Sequence, residues 1–326
     1  MRPMRTTAKP MATRILLTGG SSFTGVWIAE GLAAAGFEVI APLLRERSAY
    51  EGVRLDRVQR LERCARVTFN RPFGSEALLA DIRASGGLDV LAHHAAHITG
   101  YRDPGFDPVD ALARNTAGAG AVLEAVREAG ARLVVLTGSV FEAGEGGGDE
   151  PGAVTPYGLS KTLTSAAFDY WTRAAGLRFG RFVIPSPYGA LEERRFGWHL
   201  FRSWFAGETP LVRTPLYVRD HLAAARLAKA YAEYVVQALG SEAQTSVARP
   251  SGWIAPQGEF AQRVAAQAAR RLGLDCRVEL AAQAVFEEPL VRVNDQSGWG
   301  ANWDEDAFWD DYVAWYAGLH QSGALD

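Results

Sequence analysis

Cysteine is nearly missing from this chain: Cys64 and Cys276 are the only two in 326 residues, they lie far apart, and there is no C-x-x-C pair. That excludes a disulfide framework and a cysteine-based metal or redox motif, and leaves two reduced, partly buried thiols of a cytoplasmic protein as the expectation. Long apolar runs are missing too. Nothing approaches the ~18 uninterrupted apolar residues of a membrane-crossing helix, and Ile15 to Leu17, downstream of Arg2, Arg5 and Lys9, is too short for the core of a signal peptide. Residues 1–11 read as a disordered leader, with Met11 an alternative start. No field of one charge sign exists. A formal charge of -3, with no basic stripe interleaved with aromatics, sets aside nucleic acid and anionic membranes as partners. Lysine is scarce as well, Lys9, Lys161 and Lys229 being the only three, so the place of each carries information.

What is present is ordinary for a globular protein, 48% hydrophobic and 22% charged, and long enough to bury a large core. Apolar runs at Ile15–Leu17, Glu38–Ala41, Val67–Phe69, Leu88–Ala92, Arg132–Leu136 and Arg178–Ile184 alternate with stretches of helical spacing. One long helix is expected over 109–129 and another over 222–239, capped by Asp220. Strands of continuous apolar residues separated by helices predict a parallel sheet covered on both faces, whose ligands bind beyond the carboxyl ends of the strands. The glycines of Gly144 to Gly148 read as a flexible surface loop.

Thr18-Gly19-Gly20-Ser21-Ser22-Phe23-Thr24-Gly25 follows the first strand and opens the first helix. Glycines in such a turn let backbone N–H groups and the positive end of the helix approach a pyrophosphate, so a bound dinucleotide is the first hypothesis. Tyr157 and Lys161 stand four apart on a helix, on one face. An ammonium beside a phenol favours the phenolate, and such a pair can carry the proton of an alcohol oxygen while a hydride moves to or from a nicotinamide. The bland alternative is an exposed Tyr and Lys; the scarcity of lysine and the turn upstream weigh against it. His93, His94 and His97 suggest a metal only superficially, because two of them point to opposite faces of a strand end and no acid or cysteine completes a tetrahedral set; no metal is expected.

Taken together these stretches resemble the extended short-chain dehydrogenases/reductases, the NAD-dependent epimerase/dehydratase group that includes nucleotide-sugar epimerases. The turn is similar to the T-G-x-x-G-F-x-G loop of that group with Ser22 in place of a glycine, His93-His94-Ala95-Ala96 to its H-x-A-A strand end, Asn115 to the asparagine of the next helix, and Tyr157/Lys161 to its Y-x-x-x-K pair. The resemblance covers Ile15 to about Tyr316. It implies a Rossmann-like, doubly wound α/β sheet with a smaller, mixed α/β C-terminal lobe. Residues 12–184, joined by 212–240, would bind the dinucleotide, and 185–211 with 241–326 the substrate.

The resemblance also implies roles. Thr137 hydrogen-bonds the reacting oxygen, with Ser139 as the fallback hydroxyl and substrate neighbour; Tyr157 carries the proton; Lys161 lowers the tyrosine pKa and holds the cofactor ribose. Cofactor contacts fall to Gly19, Ser22, Phe23, Thr24, Gly25, Arg45, Asn70, His93, Ala95, Ala96, Asn115 and Pro185, and substrate diphosphate contacts to Arg213 and Arg292. Two departures narrow the expectation. Gly138 and Ser139 replace the Asp-Glu pair that dehydratases carry after the threonine, which argues against dehydration. No Asp stands near Leu43 or Leu44, and Arg45 and Arg47 follow, so the cofactor is NAD or NADP with a lean to NADP. The expected protein is a cytoplasmic, homodimeric nucleotide-sugar epimerase acting on a small-molecule substrate. An NADPH-dependent 4-ketoreductase is the nearest rival, and a non-catalytic dinucleotide sensor is the alternative of another class.

Overall fold

The apolar runs and the helical stretches between them become strands and helices in strict succession in the computed structural model, which describes residues 12–103, 105–147 and 152–325. The expected leader, residues 1–11, and Gly148 lie outside the described residues. The first half runs β1 (Arg14–Thr18), α1 (Phe23–Ala34), β2 (Glu38–Pro42), α2 (Gly52–Leu61), β3 (Arg66–Thr68), α3 (Glu76–Arg83), β4 (Val90–His93), α4 (Pro108–Thr116), α5 (Ala119–Glu128), β5 (Leu133–Ser139), α6 (Pro156–Ala174) and β6 (Arg178–Ile184). The second half continues β7 (Ser186–Tyr188), α7 (Phe196–Phe205), β8 (Leu211–Val212), β9 (Val218–Ala223), α8 (Ala224–Gly240), β10 (Thr245–Ala248), β11 (Trp253–Pro256), α9 (Gln257–Leu272), β12 (Glu279–Leu280), β13 (Val291–Arg292) and α10 (Glu305–Gln321).

Seven strands form one sheet in the order β3-β2-β1-β4-β5-β6-β10, and every neighbouring pair is parallel. A parallel sheet needs cover on both faces, which is why β5 is buried at each of its seven positions. Alternate residues of β1 serve opposite faces. Ile15 and Leu17 pack with Ile28 and Leu32 of α1 and Tyr231 of α8, whereas Leu16 packs with Leu91, Val122 and Val126. Helices α1 and α8 touch closely: a Cβ on Gly31 would stand 2.3 Å from the Ala228 carbonyl oxygen. The strand order reverses between β1 and β4, and a crevice opens there beyond the carboxyl ends of the strands.

A smaller mixed sheet is centred on β9, which pairs antiparallel with β11 and parallel with β7 and β13. Its helices bury an aromatic cluster that includes Phe260, Trp309, Tyr312 and Tyr316. Glu192, on the segment after β7, accepts from the Tyr312 and Tyr316 hydroxyls at 2.7 and 2.6 Å, and burial pushes its carboxyl up to about 7. Among the described residues no helix is long and apolar enough to cross a membrane. Cys64 and Cys276 are free thiols.

Three expectations about local structure are corrected. The helix expected over 109–129 is broken into α4 and α5 at Gly118, which takes φ +72 in close contact with Gly74; a Cβ there would lie 2.6 Å from the Gly74 Cα. Asp220 caps no helix. It lies fully buried within β9, accepting from Gly252 N at 2.6 Å and Asn294 N at 3.1 Å, and α8 starts only after Ala223. The glycine-rich segment after β5 is anchored rather than loose: Gly146 O accepts from Val293 N at 2.7 Å, and the Glu145 carboxylate meets Arg249 and Arg181 at 2.6 and 3.1 Å.

Gly118→Ala forces a side chain into a left-handed backbone and onto Gly74, so a loss of about 1–3 kcal/mol is expected in denaturant unfolding. Gly120→Ala, two residues on in a helix with open space around it, is expected to gain roughly 0.5–1 kcal/mol. Equal effects for the two would contradict the break at Gly118.

Candidate active site

The turn after β1 is shaped by what its glycines leave out. Gly19 has φ +75, and a Cβ on it would lie 2.7 Å from Ala95 N; one on Gly25 would lie 2.2 Å from Gly19 O. Ser22 caps α1, its Oγ accepting from Gly25 N at 3.0 Å and donating to Gly19 O at 2.9 Å. Val26 N is satisfied by Ser22 O. The Phe23 and Thr24 N–H groups, the first two of the helix, have no protein acceptor among the described residues. Two free donors at a helix N-terminus, with glycine backbone beside them, fit the pyrophosphate of a dinucleotide.

Beyond β4 the histidines go separate ways. Thr18 Oγ1 meets His93 Nδ1 at 3.0 Å and accepts from His94 N and Ala95 N, both at 3.1 Å, which ties the ends of β1 and β4 together. The His93 ring is sandwiched by Phe73 and Phe168 at 4.3 and 4.7 Å, and burial pulls its pKa down to about 3. His94 reaches Thr137 Oγ1 at 3.0 Å through Nδ1, and Thr24 and Ser22 hydroxyls at 2.9 and 3.1 Å through Nε2. His97 stacks on Phe106. Asn115, buried at the end of α4, accepts from His97 N at 2.7 Å and donates to Thr164 Oγ1 at 3.2 Å, so it shapes the wall after β4.

Thr137 and Ser139 are consecutive inward positions of β5, and α6 brings Tyr157 and Lys161 against them from one helix turn. Lys161 Nζ donates to Thr137 O at 2.6 Å, and burial lowers its pKa. Tyr157 sits among the rings of Tyr101, Phe141 and Phe106 at 5.2, 5.9 and 6.4 Å. Burial raises the phenol above its ordinary value, with the Glu142 carboxylate adding to the effect, so it is protonated at neutral pH. The lysine that the resemblance pairs with this tyrosine is engaged at the Thr137 carbonyl, and the charges acting on the phenol are those of Glu142 and Arg195.

These groups share one cavity of about 640 Å³. Of the residues singled out in the sequence, Gly19, Ser22, Phe23, Thr24, Arg45, His93, Ala95, Ala96, Asn115, Thr137, Ser139, Tyr157, Lys161 and Pro185 line it. Gly25, Asn70, Arg213 and Arg292 do not. Gly25 is covered by the turn it lets close, and Asn70 is exposed with its N bonded to Arg45 O at 3.1 Å. Arg213 is exposed beside β8, and Arg292 is buried with its guanidinium 3.9 Å over Phe141 and paired with Glu288. Arg47, the other arginine after β2, pairs with Glu62 at 2.7 Å.

Sequence reasoning passed over His94, Phe73, Tyr101, Glu193 and Arg195, which also line the cavity. The doubled histidine after β4 was the one visible signal for His94. Arg195 stands in a run of charged residues, Glu192 to Arg195, that offered no spacing to read.

The model of the NAD dependent epimerase/dehydratase family matches residues 15–231. No curated protein matches the sequence. Among solved structures, UDP-glucose 4-epimerase of Thermotoga maritima with UDP-glucose superposes at TM-score 0.70 with 16% identity, covering 94% of this chain and 100% of that one. UDP-glucose-4-epimerase of Stenotrophomonas maltophilia, with bound NAD and formylated UDP-arabinopyranose, gives 0.72 at 17%, covering 95% and 99%. The dTDP-glucose 4,6-dehydratase of Streptomyces venezuelae, with NAD and TYD bound, gives 0.70 at 20%, covering 96% and 100%. At such identities the likeness is one of fold.

Ser22→Gly gives up a helix cap, which costs only a few tenths of a kcal/mol when glycine replaces it, and leaves the Phe23 and Thr24 donors in place. Dinucleotide affinity, measured by titration calorimetry, is expected to change by less than about tenfold, or 1.4 kcal/mol. A larger loss would mean that the serine hydroxyl itself holds the phosphates.

Proposed function

The chain belongs to the NAD dependent epimerase/dehydratase family, enzymes of the extended short-chain dehydrogenase/reductase type, and on that premise we propose that it is a nucleotide-sugar epimerase. In this reading Thr137, Tyr157 and Lys161 serve a reversible oxidation at a ring carbon. The observation that carries it is the meeting of these side chains at the end of β5, across one cavity from the two free N–H groups of the turn. When bound, the nicotinamide supplies the acceptor and donor of a hydride. The protein's own residues do the rest. Thr137 holds the substrate oxygen, Tyr157 takes its proton in the oxidising direction after giving up its own and returns it in the other, and the Lys161 ammonium stabilises negative charge beside Thr137. The resting phenol, protonated because it is buried among aromatic rings, is set for the return of a proton to a ketone.

Dehydration fits the site less well. Gly138 and Ser139 offer no acid or base, and the nearest carboxylate, Glu142, accepts from Ser139 N and from Arg181, both at 2.7 Å. Arg45 in the cavity wall beyond β2 supports the rival reading, an NADPH-dependent 4-ketoreductase, since a guanidinium there suits a 2′-phosphate. A non-catalytic sensor would not need Thr137, Tyr157 and Lys161 together in one cavity. Residues 12–184 with 212–240 are assigned to the dinucleotide and 185–211 with 241–326 to the substrate, whose diphosphate would meet Arg195 in the cavity wall rather than the distant Arg213.

A homodimer is part of this proposal. Val109 on α4 and Leu159, Leu163 and Tyr170 on the neighbouring α6 are exposed by 66, 41, 36 and 65%, and the three on α6 share one face. Sedimentation showing one monomeric species at tens of micromolar chain would refute it. For catalysis, Tyr157→Phe is expected to lower kcat on a nucleoside-diphosphate sugar by about 10²–10⁴-fold while dinucleotide affinity stays within about tenfold. Unchanged turnover in that variant would hand the site to the sensor reading.

A further inference from the structure

His94 spans the cavity wall from the turn to the reacting end of β5, and one proton assignment satisfies every hydroxyl that meets its ring. Ser22 Oγ spends its single proton on Gly19 O at 2.9 Å and already accepts from Gly25 N at 3.0 Å. In this assignment it accepts from His94 Nε2, 3.1 Å away. Nε2 therefore carries the ring proton, with Thr24 Oγ1 as its second neighbour at 2.9 Å. The ring is neutral, because burial and the charge of Lys161 pull its pKa down to about 3. Nδ1 is then a bare lone pair, and the hydroxyl 3.0 Å from it, Thr137, must donate.

We propose that His94 is a positioning residue that parks the Thr137 proton on its Nδ1 while the substrate alcohol gives its own proton to Tyr157, so that Thr137 releases the parked proton as a donor once that alcohol has become a ketone. This rests on the hydride-transfer reading of the site. No bond to His94 forms or breaks: the alcohol proton goes to Tyr157, the hydride to the cofactor, and the Thr137 hydroxyl only rotates from Nδ1 to the ketone oxygen. A ketone oxygen has no proton of its own and takes a donor, and a hydroxyl with a waiting acceptor can supply one when it is needed. Because Ser22 and Thr24 hold the far side of the ring, the acceptor is fixed by the same turn whose N–H groups face the pyrophosphate site.

The tautomer can be read without substrate or cofactor, so its outcome is independent of whether a nucleotide sugar is turned over. In protein labelled with ¹⁵N-histidine, His94 is expected as the Nε2–H tautomer with an unprotonated Nδ1, and Thr137→Val is expected to shift the Nδ1 resonance. An Nδ1–H tautomer, or a resonance unmoved by Thr137→Val, overturns the proposal. In kinetics, His94→Leu removes the acceptor and is expected to lower kcat about 10–100-fold with dinucleotide affinity unchanged. His94→Asn, whose Oδ1 can stand where Nδ1 was, is expected to restore part of the loss. A His94→Leu protein that loses dinucleotide affinity but keeps kcat at saturating cofactor would make the histidine part of the cofactor cradle and refute the parking role. Should His94→Leu not fold, the tautomer of the unaltered protein still decides.

Discussion

One hydroxyl holds the arrangement together. Thr18 Oγ1 accepts from His94 N and Ala95 N and meets His93 Nδ1, so the last residue of β1 fixes the backbone that leaves β4. Gly19 can lie against Ala95 only because of this joint and because it has no Cβ. The closeness has two effects. It aims the N-terminus of α1 across the crevice where the strand order reverses, and it brings the Ser22 and Thr24 hydroxyls within reach of His94. A longer turn or a bulkier residue at 19 would separate the phosphate-facing donors from the end of β5, and the cavity would lose its continuity.

The second constraint is burial at the tyrosine. Aromatic rings from the segment after β4 and from the end of β5 enclose Tyr157, and Glu142 lies near enough to oppose its ionisation. Glu142 is itself held by Arg181 and by Ser139 N, with its Oε1 only 2.9 Å from where a Cβ on Gly138 would stand. The glycine after Thr137 is thus the room that this carboxylate needs.

Much of this was legible in the sequence, and for identifiable reasons. A buried parallel strand has to be apolar on both faces, so β1, β4, β5 and β6 announce themselves as continuous runs, and the residues that line the cavity follow directly after them. Tyr157 and Lys161 were readable because a four-residue spacing keeps its meaning along a helix. What failed depended on contacts distant in sequence. Gly118 breaks its helix because Gly74 packs on it, and Asp220 serves Gly252 and Asn294 rather than its own helix. Arg213 was assigned to the substrate by resemblance alone, yet it is exposed beside β8 and does not line the cavity, since its place depends on how β8 is mounted against β12. His94 received no role from its sequence, although opposite faces were expected of neighbours on a strand end; the geometry gives them their partners, Thr18 for His93 and Thr137 for His94.

The central claim, a reversible hydride transfer served by Thr137 and Tyr157 with the cofactor kept in the cavity, is tested most directly by proton NMR of nucleoside-diphosphate hexoses mixed with the purified chain and no added cofactor. Epimerisation is expected: a second sugar isomer grows to a constant ratio with no net change in nicotinamide absorbance. Conversion that advances only as added NADPH is consumed, or no conversion of any hexose in a panel that binds, would contradict it.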